Sequence, residues 1–504
     1  MASAQSTGAA SFLKLPTELL DQVASLLPRS AFRALALTSK KANVSAIDTL
    51  YKIYLNRTAP AKAPFHLFLR TVCERPDLAA KVKRVDIRGW RSEYEVATGA
   101  AWRGVTEVRD VDQTEKSGPS FTSTEKSVQD SATARFKLFV GAAVKAGIVA
   151  EPTSLSVSAL KASIVWYTSL KEDGDFLRLL GRGVEDAQLV LMLALLPNME
   201  VLNIDGLSPF PLLDWHHFLS RSSTALRKLS VLQIIGSNTN LKEPVVKNSL
   251  QFLDITPDLL QIRLIALAAG GHNFTLRALP SSKLWSVALL GCGVNLRLLR
   301  KIMLGQTLTC IAYRPGPTQV NAITGSDIVL PQLLATFTDS KLSLEALVIF
   351  PSAFKPERGS FKIFENVETL EVPLVDVLNI PYIEEDPEVI YGLLKDHLPA
   401  TLRHIILRYM SSGTQANVII EQLAVLKMQN ILPHLDKATF IFCSNAAPSF
   451  VSAATVALGG LFGGLTAAET AWGSVSRMEV TVQEDFGKLY KDAGIYMVVE
   501  QTDE

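Results

Sequence analysis

The 504-residue chain has only four cysteines, and no two of them form a C-x-x-C pair. This removes the commonest start of a zinc site or a dithiol redox motif, and Cys73, Cys292, Cys310 and Cys443 read as reduced core thiols. An excess of one charge is also missing: 50 basic against 49 acidic side chains leave a formal charge of +1. A surface so balanced has little to steer a polyanion, which argues against nucleic acid as the main partner. The opening MASAQSTGAASF has neither the basic n-region nor the long apolar h-region of a secretory signal, so a cytoplasmic or nuclear protein is expected. In those compartments the N-x-S/T matches at Asn43, Asn56 and Asn273 carry little weight.

Motifs that carry chemistry are absent as well. There is no G-x-S-x-G nucleophile elbow, no Walker A loop, no H-E-x-x-H helix and no EF-hand loop. Gly181 with Gly183, and Gly291 with Gly293, lack the third glycine of a dinucleotide fingerprint. His216 and His217 are adjacent, so on a helix they point in different directions and cannot make an i, i+4 metal pair. Glu384, Glu385 and Asp386, beside Pro387, read as a solvated charge run. The expectation is a protein without a catalytic residue, cofactor or metal.

What the chain has is apolar pattern. Hydrophobic residues make up 48 % and charged residues 20 %, below the roughly 25 % of an average soluble domain, which excludes disorder of the whole chain. The run 446–468 is free of charge over a bilayer's length and contains a Gly460/Gly464 pair. It is diluted by Gly, Ala, Ser and Thr, lacks a flanking basic cluster and precedes an alternating strand pattern, so the soluble reading is preferred to a membrane anchor.

Residues 13–54 carry helical spacing. Pro16 and Glu18 suit a first helical turn, followed by an apolar face of Leu19, Val23, Leu26 and Leu27. A second helix is expected from Ser30 through Phe32, Leu35 and Leu37 toward Lys40 and Lys41. Ser45 and Asp48 have capping-box spacing ahead of Leu50, Tyr51 and Tyr54. Three helices in about forty residues bury little core alone, so such a module needs a partner or a scaffold.

From Val82 an L-x-x-L-x-L unit recurs, the strand signature of a leucine-rich repeat. Its triplets are Val82/Val85/Ile87, Met199/Leu202/Ile204, Leu226/Leu229/Val231, Leu259/Ile262/Leu264 and Leu284/Val287/Leu289. They continue as Leu308/Ile311/Tyr313, Leu344/Leu347/Ile349, Val367/Leu370/Val372, Leu402/Ile405/Leu407 and Leu435/Ala438/Phe440. From Leu202 onward the central positions lie about 23 to 36 residues apart, with helical candidates such as DAQLVLMLALL, NLRLLRKIML and VIIEQLAVLK between them. A strand and a return helix per unit make each strand parallel to the last. A polar, aperiodic stretch at about 104–133 reads as a mobile insertion, and a strand over Ile495–Val499 closes the array. The fold class is therefore α/β: a helical module at 13–54, a helical linker at 55–77 and a curved solenoid of parallel strands and return helices over 78–499.

The run LPTELLDQVASLLPRSAFRALALTSKKANVSAIDTLY resembles an F-box, especially the fungal type, in its opening Leu-Pro, its acid two places after the proline and its L-x-L-T-S-K close. It departs where many F-boxes carry a tryptophan after the second helix, having Lys41-Ala42-Asn43 there. FHLFLRTVCERPDLAAKVKRVDIRGW and GVEDAQLVLMLALLPNMEVLNIDGL look like the linker and first repeats of fungal F-box/leucine-rich-repeat proteins. The resemblance implies a substrate receptor of a Skp-cullin-F-box E3 ubiquitin ligase. In such a complex the F-box docks on a Skp-type adaptor and, through it, on cullin, while the repeats hold a target protein. By position in the motif, the adaptor-binding candidates are Leu15, Pro16, Leu19, Leu20, Val23, Leu26, Leu27, Phe32, Leu35 and Leu37. The alternative is a non-catalytic repeat scaffold whose F-box-like helices only cap the solenoid.

Overall fold

The structure, a computed structural model, describes residues 15–27, 29–56, 65–88, 123–151, 171–181, 183–207, 213–236, 252–267, 283–292, 294, 296–315, 329–350, 359–373, 386–408, 413–443, 493 and 496–502. The chain divides into two compact units, Met1–Asp205 with Phe210–Ser230, and Gly206–Pro209 with Val231–Glu504.

The first unit opens with three helices, α1 (Thr17–Leu26), α2 (Arg29–Thr38) and α3 (Lys40–Lys52). Ser39 caps α3, its hydroxyl accepting from Ala42 N at 3.1 Å, and Asn43 Nδ2 reaches back to Ala36 O at 3.0 Å. Lys40 and Lys41 therefore begin α3 and do not close α2. Ser45 is buried in mid-helix and is not its cap. The turn residue with a free hydroxyl nearest the orphan N–H groups wins the capping role.

Helix α3 passes without an intervening residue into β1 (Ile53–Leu55), a strand too short to show in the sequence pattern. β1 pairs in parallel with β2 (Arg84–Arg88), and β2 with β3 (Val201–Leu207), setting Tyr54 beside Val85 and Val85 beside Leu202. The stretch 55–77, expected as a helical linker, begins in β1 and then carries α4 (Phe65–Glu74) and the start of α5 (Pro76–Ala79).

Helix α6 (Ser123–Lys145) takes in the last third of the expected 104–133 insertion, because Phe136, Phe139, Val140 and Ala143, all buried, give its later turns a helical core face. Residues 104–122 lie outside the described residues. After α7 (Lys171–Gly181) comes α8 (Glu185–Ala194), whose ten residues are all buried. A helix buried all round needs cover on every side, and α8 is packed by α4, α6, α7 and α9 (Trp215–Arg221). Asp173, fully buried, ties these layers together: Arg221 places both terminal guanidinium nitrogens on its carboxylate, and Ala150 N donates to it at 2.7 Å.

The second unit strings nine described strands in chain order, all parallel: β4 (Val231–Gly236), β5 (Gln261–Ile265), β6 (Ser286–Cys292), β7 (Cys310–Pro315), β8 (Ala346–Ile349), β9 (Thr369–Val372), β10 (His404–Arg408), β11 (Lys437–Cys443) and β12 (Tyr496–Thr502). The apolar triplets fall into one register: Ile262 beside Val287, Val287 beside Ile311, Ile311 beside Leu347, Leu347 beside Leu370, Leu370 beside Ile405 and Ile405 beside Ala438. The β4 triplet is the exception. Leu232 and Ile234, not Leu229 and Val231, align with Ile262 and Leu264 and are fully buried. The last strand lies at Tyr496–Thr502, slightly later than expected from the pattern.

Return segments differ from turn to turn, which explains the uneven spacing of the repeats. Helices α10 (Leu296–Met303), α11 (Leu330–Ala335), α12 (Pro387–His397) and α13 (Gly413–Met428) fill some of these segments, and single 3-10 turns such as Phe361–Ile363 fill others. Side chains staple each turn to the one before: Ser340 Oγ donates to Gln306 O, Ser343 Oγ to Leu308 O and Thr401 Oγ1 to Val367 O, at 2.8 to 2.9 Å.

Successive strand residues face opposite ways. Opposite the triplets, the face of β5–β8 is buried too: an apolar cluster of Ile265, Ala288, Leu290, Cys310, Ala312, Val348 and Phe350 flanked by Ile235 and Trp285, with Arg263, Ser286 and Arg314 buried on the same face. Strands buried on both faces read as near-continuous apolar runs, as the VALL of β6 and the CIAY of β7 do.

Candidate functional site

The candidate site is the N-terminal three-helix module. Inside it Phe32, Leu35, Ala42 and Ala46 form a small core with Leu27, Ala36 and Leu50 against it, and Leu20 is fully buried where α1 packs on α3. Of the ten candidates, Leu20, Phe32 and Leu35 are therefore packing residues. Leu15, Val23 and Leu27 are half-buried and Pro16 is exposed.

The remaining three point outward, with 43 % of Leu19, 85 % of Leu26 and 80 % of Leu37 in contact with solvent. Val44 on α3, outside the motif positions singled out in the sequence, is 63 % exposed. Its only sequence signal is an aliphatic residue among the polar positions of α3, which is weak. The apolar face expected on α1 is thus split. Leu19 and Leu26 lie outside and Leu20 lies inside, because the doublets Leu19-Leu20 and Leu26-Leu27 offer two helical phases and packing on α3 selects one.

The module is tied to its neighbours in the first unit. Lys83 N donates to Lys52 O at 2.8 Å, Lys81 pairs with Asp48, and within the module Lys41 Nζ bonds Leu15 O. The Tyr54 ring stacks on Phe68 with centroids 3.9 Å apart and meets Phe65 at 6.3 Å. Lys41-Ala42-Asn43, where many F-boxes place a tryptophan, forms the first turn of α3, with Ala42 fully buried.

Elsewhere the reactive groups are subdued. Burial pushes the thiols of Cys73, Cys292 and Cys310 up to about 12, so they stay protonated and are poor nucleophiles. On the face of β2 and β3 opposite their triplet positions, Arg84 Nε and Asn203 Nδ2 reach the buried Asp86 carboxylate at 3.1 and 2.6 Å. His216 and His217 sit in α9, whose start is capped by Asp214. Asp386 of the expected charge run caps α12, while Glu384 and Glu385 lie outside the described residues. Among the described residues no cluster of three or more His, Cys, Asp or Glu side chains could hold a metal ion. No described helix is long and apolar enough to cross a membrane, and 446–468 lies outside the described residues. Asn56, one of the N-x-S/T matches, is buried. No protein-family model and no curated protein matches the chain, so its functional reading rests on the module's own sequence and geometry.

Proposed function

We propose that the protein is a substrate-recognition receptor of a Skp-cullin-F-box E3 ubiquitin ligase, the N-terminal module docking on a Skp-type adaptor and the rest of the chain holding a target protein. The observation that carries this reading is the outward set Leu19, Leu26 and Leu37, on a module whose own core is already filled by Leu20, Phe32 and Leu35. Large aliphatic side chains left this exposed on so small a module mark a surface made to be covered. The receptor performs no bond chemistry: it raises the effective concentration of target lysines near the loaded conjugating enzyme. It acts in the cytoplasm or nucleus.

Co-precipitation with the adaptor and cullin tests the proposal. Replacing Leu26 and Leu37 together by Asp puts two charges into an apolar contact and should weaken adaptor capture by orders of magnitude. Both side chains are mostly in solvent already, so the melting transition should not move. Equal capture by the variant, or no capture by the unaltered chain, would sink the receptor reading.

A second reading is favoured by the seamless passage of α3 into β1. In it the helices serve only as the cap that a terminal repeat needs, and the protein is a non-catalytic scaffold. It predicts no adaptor in the precipitate.

A further inference from the structure

We infer that the outer face of α10 and the turns that follow it form a docking surface for an acidic segment of another protein, one in which Asp or Glu alternates with large apolar side chains. Leu299, Ile302 and Met303 of α10 turn inward and are buried, so positions 297, 300, 301 and 304, one stripe at helical spacing, face outward. They hold Arg297, Arg300, Lys301 and Leu304, and 70 % of Leu304 is in solvent.

The stripe continues past the helix. Gly305 N donates to Asp339 Oδ2 at 2.8 Å, which lays the end of α10 against the next turn, where Lys341 and Leu342 are exposed. Asn366 Nδ2 donates to Leu342 O at 2.6 Å and Glu365 N to Lys341 O at 3.0 Å, which joins that turn to the one carrying Lys362 and Ile363, both exposed. Leu342 is 57 % and Ile363 43 % exposed, so each successive turn presents a cation beside an aliphatic side chain. A lone exposed leucine is ordinary, whereas a connected row marks a place of interaction.

Folding alone does not account for the charges. Arg300 and Lys301 suit the negative end of α10, but Arg297 stands in its first turn, against the helix dipole and one turn from two like charges. Among the described residues, none of Arg297, Arg300, Lys301, Lys341 and Lys362 has a carboxylate partner. An acidic segment supplies that counter-charge, and its apolar side chains cover the aliphatic ones. Asp339, Glu345 and Glu365 are exposed on the same turns. They repel an anionic bilayer or a nucleic-acid backbone, whose charge has no gaps, while a peptide can set neutral residues against them. If the chain is a ligase receptor, this surface holds its target, but the binding itself needs no adaptor and is tested without one.

Random peptides displayed on phage are selected against the full chain, and the enriched sequences are remade as fluorescent peptides for anisotropy titration. They should be rich in Asp and Glu together with Leu, Ile, Phe or Trp. Arg300→Glu combined with Lys341→Glu should weaken their binding at least roughly tenfold, while Arg300→Lys combined with Lys341→Arg should keep it. Leu304→Ser combined with Leu342→Ser should weaken it as well, and raising salt from about 50 to about 300 mM should weaken it in the unaltered chain. These side chains are in solvent, so an unmoved melting transition separates lost docking from lost folding. Enrichment of sequences that are not acidic, equal binding by the charge-reversed chain, or pelleting with phosphatidylserine vesicles that the same reversal abolishes, would overturn the proposal.

Discussion

Leu20 and Leu26 lie on the same short helix and have the same side chain, yet one is fully buried and the other almost fully exposed. They should answer mutation in opposite ways. Leu20→Ala removes atoms from a filled core and should cost about 3 kcal/mol, read as a lower denaturant midpoint. Leu26→Ala should leave that midpoint in place. Another single residue sets a response to acid. His404 on β10 has Nε2 3.0 Å from Thr439 Oγ1, and burial, then the charge of Lys437, lowers its pKa from 6.5 to about 4. The unfolded chain takes up a proton near pH 6.5 that the folded one refuses until about 4. The stability this group contributes is thus present above pH 6.5 and is lost as pH falls toward 4. His404→Gln should flatten that part of the pH profile, measured as urea midpoints at about pH 7 and about pH 5. Parallel profiles would show that His404 does not carry it.

At the scale of elements, caps and close approaches fix the boundaries. Ser39→Ala should cost about 1 kcal/mol, since Ala42 N loses its acceptor. Gly236, the last residue of β4, is required for a harder reason. A Cβ there would lie 2.1 Å from Ala266 O, in a segment where Ala266 already has φ +52 and Ala266 N bonds Leu290 O at 2.7 Å. That backbone cannot retreat without breaking the β5–β6 edge, so Gly236→Ala should cost roughly 3 kcal/mol. Differential scanning calorimetry reads both costs.

The elements also show what a sequence reveals. Nine of the ten apolar triplets mark the true inward register, because a buried strand face must repeat its apolar residues at fixed offsets. The β4 triplet misleads because ALRKLSVLQI holds two overlapping frames, and only pairing with β5 chooses between them. β1, at three residues, has too few positions to show a period. On α1, neighbouring leucines hide which face packs, so the motif positions are legible while their division into core and surface is not.

At the scale of the molecule, the sheet in the second unit has a buried face opposite its triplets, at least across β5–β8. A target protein cannot be read there by exposed strand residues, as an open repeat surface would allow. Charged substitution shows this: Ala312→Asp should destabilise the chain by several kcal/mol and not act as a mild change of binding. Recovery of soluble, folded protein after expression is the measurement, and normal yield with an unchanged melting point would contradict the double burial.

The junction of Lys52 and Ile53 bears on reach. A tethered receptor samples a sphere, and its working concentration depends on the length of the tether. Here the tether has no length: α3 ends where β1 begins, clamped by Lys83 N on Lys52 O and by the Tyr54–Phe68 stack. If the helices hold the adaptor, the sheet of the first unit becomes the stiff arm of a compass, and ubiquitin should land on the few target lysines that its arc crosses. A flexible Gly-Ser insert of about ten residues after Lys52 should keep adaptor capture while scattering the modified sites, a change that peptide mapping of the conjugates would show.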